Sequence, residues 1–144
     1  MPKLLCIVFA PLTLLLLVVA SSNAADLTVI ISGLRSDKGD VHIAVYDNPK
    51  VFPSSDYMLL EVEKRITNRK IEYQFTNLAP GYYALAAYHD ENGNDSFDTN
   101  FLGLPTEGYA FSNDAQVFLG PPSFLDAQIA LRIEGSTIHI KMGY

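Results

Sequence analysis

The stretch APGYYALAAYHD, Ala79 to Asp90, decides the fold. Tyr82 to Tyr88 is apolar at odd and even positions alike. A strand with one wet face alternates apolar and polar residues, so this one reads as a central strand covered on both faces. Pro80-Gly81 places a tight connection before it. On either side the period is two. Leu27, Val29 and Ile31 alternate with Thr28 and Ser32, and Val41, Ile43 and Val45 alternate with His42 and Ala44. Ser36-Asp37-Lys38-Gly39 between them is turn chemistry, so residues 27–47 read as a hairpin. Leu60 and Val62 between Glu61 and Glu63 mark a strand near 57–66, and Asn68-Arg69 turns the chain. Ile71, Tyr73 and Phe75 mark a fourth strand. Ala127, Ile129, Leu131 and Ile133 precede a turn at Glu134-Gly135-Ser136, and Ile138, Ile140 and Met142 follow it. No segment has the period of an amphipathic helix. About seven short strands punctuated by turns predict an all-β fold, a single antiparallel β-sandwich over residues 25–144.

Composition agrees. The chain has 144 residues, 49% hydrophobic and 18% charged, which suits one packed domain and excludes a disordered chain. The net charge of −6 argues against nucleic acid, which needs clustered Lys and Arg. Residues 1–24 read as a signal peptide. Lys3 supplies the positive charge, Leu4 to Ala20 the apolar core, and Ser22-Asn23-Ala24 the small-residue cleavage site. This predicts a periplasmic or secreted protein with no membrane span after cleavage. Cys6 leaves with the peptide, so thiol catalysis and thiolate metal sites are excluded.

Charge is unevenly placed. Residues 71–131 contain no Lys or Arg but eight acids: Glu72, Asp90, Glu91, Asp95, Asp98, Glu107, Asp114 and Asp126. Within them, Asp90, Asn92, Asn94, Ser96 and Asp98 place side-chain oxygens at alternate positions. Calcium takes six to eight oxygens, which such a loop can wrap around one ion. Phe97 stands where an apolar residue would pin the loop to the core. The order resembles the start of an EF-hand loop, but Asp95 replaces the sixth-position Gly and Phe101 the twelfth-position Glu. A plain polar hairpin tip around Asn92-Gly93 explains the same residues. Phe101 to Phe124 is a long connection with four Phe and one Tyr. Residues 115–119 read as a short strand, and the whole connection reads either as a cover over an open edge or end of the sheets or as a binding loop in which Glu107, Tyr109 and Phe111 line a groove beside the metal loop.

The stretches LAPGYYALAAYHDENGNDSFD, GLPTEGYAFSN and GPPSFLDA closely resemble a family of exported bacterial proteins, domain of unknown function 2141. The resemblance covers the mature chain. It implies an immunoglobulin- or prealbumin-like sandwich and export, and makes Asp90, Asn92, Asn94 and Asp98 part of a family motif; it supplies no reaction. The three histidines have no zinc-ligand spacing, and His42 and His139 fall on outward faces of strands. The resulting expectation is a non-catalytic binding or structural module, stabilised by calcium, with an unknown protein or glycan partner. Tyr82, Tyr88 and Tyr109 offer aromatic faces to a sugar. The alternative is a hydrolase of glycans or esters, which requires His89, Asp90 and Glu107 to converge in a cleft.

Overall fold

The computed structural model describes residues 24–144; the signal-peptide reading falls on residues outside these, apart from Ala24. Among the described residues, eight strands form two sheets: β1 (Ala25–Ser32), β2 (Asp40–Tyr46), β3 (Leu60–Arg65), β4 (Ile71–Leu78), β5 (Gly81–Asp90), β6 (Gly108–Phe111), β7 (Ile129–Leu131) and β8 (Ser136–Lys141). One sheet runs β4-β1-β8. The other runs β3-β2-β5-β6, with β7 pairing the start of β5. A single helical turn, α1 (Phe124–Ala127), precedes β7. Among the described residues, no helix is long and apolar enough to cross a membrane.

The all-β sandwich is as the alternation predicts, but the pairing of β1 and β2 is not. They do not form a hairpin. β1 pairs with β4 and β8, while β2 pairs with β3 and β5 in the opposite sheet. The reason lies in the core: Leu27, Val29, Ile31, Val41, Ile43 and Val45 are all fully buried. Facing one another across the sandwich, the two sets fill one interior with Leu85, Ala87 and Ile140. Side by side in one sheet they would all point to a single face. β1 and β8 also run parallel, from Leu27↔Ser136 to Ser32↔Lys141, an exception to the expected antiparallel pattern. The Asn68-Arg69 turn is where predicted, with both residues in the left-handed region (φ 55° and 52°).

The double apolar parity of β5 has a direct cause. Tyr83, Leu85 and Ala87 face the main core, while Ala84 and Ala86 face a second cluster outside the sheet. That cluster comprises Tyr46, Phe124 and Ala127 with Phe52 and Phe111. Residues 112–127 therefore cover the outer face of the sheet rather than an open edge or end, where the cover was expected. The short strand expected at 115–119 is absent; β6, at 108–111, joins the sheet instead. Ser112 anchors the cover: fully buried, its hydroxyl accepts from the Leu85 amide at 2.8 Å and donates to the Ala127 carbonyl.

Gly39 fixes the approach of the 33–39 turn to the end of β5. Its φ is +67°, and an added Cβ would lie 1.8 Å from the Asp90 carbonyl oxygen. Gly103 also has positive φ, +76°, but opens onto free space. Both alanine substitutions incur backbone strain of about 1 kcal/mol; only Gly39→Ala adds a backbone collision. Urea unfolding should show Gly39→Ala clearly more destabilised than Gly103→Ala, and equal losses would contradict this packing.

Candidate functional site

The acidic loop grows from the end of β5. Asp90 is buried at the last position of that strand, and its carboxylate faces back into the loop it starts. Oδ1 accepts the backbone N–H of Gly93 at 2.7 Å and of Asn94 at 3.3 Å; Oδ2 accepts that of Asp95 at 2.8 Å. Glu107, also buried, closes the far end. Its Oε1 accepts from the Glu91 amide and its Oε2 from the Asp98 amide, each at 3.1 Å. Two buried acids thus satisfy five backbone donors of a loop with no regular structure. Charge-assisted bonds of this kind are the stronger sort, and they offset the cost of burying each carboxylate.

The candidate calcium residues are divided between two centres. Asp90 serves backbone donors, as above. Asp98 accepts from the side-chain amides of Asn92 (2.6 Å) and Asn94 (3.1 and 3.2 Å). The Ser96 amide donates to the Asn94 side-chain oxygen at 3.0 Å. Phe97 pins the loop, its ring packing on Tyr88 and Tyr109 at centroid distances of 5.7 and 6.0 Å.

Of the groove residues, Tyr109 and Phe111 line an open cleft of about 470 Å³ with Asp114, Lys141 and Tyr144. Glu107 does not line it; it lies beneath the loop. Of the three tyrosines considered for sugars, Tyr82 is exposed, while Tyr88 and Tyr109 are half-buried. His89, Asp90 and Glu107 are each committed elsewhere. The His89 ring is fully buried, with Nε2 donating to the Lys38 carbonyl at 2.7 Å and Nδ1 bonded to the Tyr144 hydroxyl at 2.6 Å. A carbonyl cannot donate, which fixes that tautomer. Arg35 lies over the Tyr144 ring at 4.4 Å and pairs with Glu91. This bond to Arg35 holds the Glu91 carboxyl below the usual carboxylate range.

One residue has a place the sequence did not indicate. His42 was expected on an outward face; it is indeed opposite the main core, but only 8% exposed. The acidic loop and Tyr88 cover it, with the Tyr88 ring stacked on the imidazole at 4.5 Å and 11°. Nδ1 is 3.2 Å from Glu61 Oε1. Nε2 lies 3.9 Å from both Asp90 Oδ2 and Asp95 Oδ1. Strand register explains the meeting, because His42 pairs with Tyr88, two residues before Asp90. Burial raises the Tyr88 phenol well above its ordinary value, and Glu61, Asp90 and Asp95 add to the shift.

The architecture is an all-β sandwich carrying one acid-closed loop. The chain belongs to the bacterial family described as an uncharacterized protein conserved in bacteria, domain of unknown function 2141, which matches residues 29–139. Comparison with curated proteins and with solved structures gives no match.

Burial raises the Asp90 carboxyl, but the amides of Asp95, Gly93 and Asn94, helped by His42, outweigh it and hold the group below the usual carboxylate range. A carboxyl depressed by folding stabilises the fold above its unfolded pKa, and that contribution is lost as pH falls through the folded value. Asp90→Asn should therefore cost about 1–3 kcal/mol at pH 7. Denaturation measured in the presence of a chelator should show the gap from wild type narrowing below about pH 4. A gap unchanged down to pH 2 would contradict the role given to this carboxylate.

Proposed function

We propose that this is an exported, non-catalytic binding module that works in the periplasm or outside the cell and recognises a protein partner through the tip of its acidic loop. One observation carries the reading. Phe101 is 95% exposed, and Leu102 and Leu104 beside it are exposed too, on a segment whose backbone is internally bonded. The Asn100 amide donates to the Leu104 carbonyl, and that of Gly103 to the Asn100 carbonyl, both at 2.8 Å. The Asn100 side-chain oxygen accepts from the amides of Leu102 and Leu104 at 2.9 and 3.0 Å. Thr99 and Pro105 bridge its two arms. Large apolar side chains shown to water on a braced loop favour recognition, since little ordering entropy is left to lose on binding.

The loop is read as self-supporting. Calcium, the expectation from the spacing of its acids, would require Asn92 and Asn94 to turn their amide oxygens towards Asp98. A hydrolase would need a free proton-transfer group, whereas His89, Asp90 and Glu107 all have structural partners.

A photo-crosslinking residue placed at 101 or 104, with a control at Thr76 on β4, tests the proposal in cells producing the protein. Discrete adducts at 101 and 104, suppressed by excess wild-type protein and missing at 76, are expected. The same adducts at all three positions would contradict it.

A further inference from the structure

We propose that His42, Asp90 and Asp95 bind a divalent transition-metal ion of the zinc type, with Glu61 as the positioning residue behind the histidine. The inference goes beyond the binding role and is independent of it. His42, Asp90 and Asp95 each offer a ligand atom within 4.8 Å of the others. Among the described residues, His42 Nε2 is the buried side-chain polar atom without a hydrogen-bond partner. It points at two carboxylate oxygens, both 3.9 Å away.

That separation is too long for a hydrogen bond. N and O ligands about 2.0–2.2 Å from a tetrahedral zinc ion lie about 3.4 Å apart, so each His42–carboxylate pair must close by about half an ångström, and the two carboxylates, within 4.8 Å of each other, must also draw together. Asp95 can supply it, because its side chain is 77% exposed. Asp90 Oδ2 keeps the Asp95 amide on one lone pair and offers the other.

The ring is set up for ligation. The Glu61 carboxylate accepts only, so it takes the Nδ1 side of the ring and leaves Nε2 as the nitrogen nearest the two carboxylates. A carboxylate behind the far ring nitrogen is the usual partner of a metal-bound histidine. Stacking on Tyr88 fixes the ring plane. One imidazole with two carboxylates suits zinc or a neighbouring transition metal; calcium and magnesium prefer oxygen alone. With three protein ligands, the remaining positions go to water or to a donor from a partner.

The test is titration of chelator-treated wild-type protein with zinc against a chromogenic indicator, with cobalt(II) as a spectroscopic substitute and calcium as control. One zinc per chain is expected, with a cobalt spectrum of mixed N/O coordination and no competition from millimolar calcium. Asp95→Asn tolerates the left-handed backbone there (φ 58°). It should weaken zinc at least tenfold without lowering the metal-free melting temperature. Glu61→Ala should weaken zinc about tenfold, and Glu61→Gln should restore most of the loss. Unchanged zinc affinity in Asp95→Asn would overturn the proposal, as would calcium competing on equal terms. So would a titration that shows no stoichiometric zinc on the wild-type protein.

Discussion

Much of the molecule depends on β5 being buried on both faces. One face belongs to the sandwich interior, closed by the β4-β1-β8 sheet. The other must be covered by chain outside the sheets. Residues 112–127 cover its beginning through Phe124 and Ala127. The acidic loop covers its end, laying Phe97 on Tyr88. Both long connections are thus explained as cover. Removing either would expose a stripe of alanine and aromatic surface in the middle of a sheet.

This burial also makes the site. At the end of a strand covered on both faces, the last residues carry polar side chains into a place water does not reach. His89 and Asp90 are there, and both accept or donate hydrogen bonds within the fold. Asp90 turns this to use by organising the next five residues from below, and Glu107 does the same from the returning chain. The five amides would otherwise need water or regular structure. What the two acids release is the far part of the loop, which can display Phe101 and its neighbours without holding itself to the core.

Much of the fold was legible because alternation reports burial directly. Tyr82 to Tyr88 announced a doubly covered strand, which holds from Tyr83 onward while Tyr82 is exposed, and Asn68-Arg69 announced a tight turn. Pairing was less legible. Leu27–Ile31 and Val41–Val45 say that each strand has a buried face, but not whether the two lie side by side or opposite. Gly108–Phe111 is too short and too mixed to declare itself a strand, whereas Ala115–Leu119 is apolar at four of its five positions and is loop. For the site, the chemistry of Asp90 and Asp98 was visible but not its direction, since a carboxylate reads the same facing a cation or an amide. His42 was missed because its partners come from register and from a loop some fifty residues on. Its pairing with Tyr88 was the available signal, and it required knowing that β2 neighbours β5.

The central claim is that Asp90 and Glu107 hold the acidic loop in order by themselves. Amide hydrogen exchange on the chelated wild-type protein tests it most directly. The account predicts slow exchange at Glu91, Gly93, Asn94, Asp95 and Asp98, with Glu107→Gln accelerating Glu91 and Asp98 together. Exchange of these five amides at unfolded-chain rates, with protection appearing only once calcium is added, would contradict it.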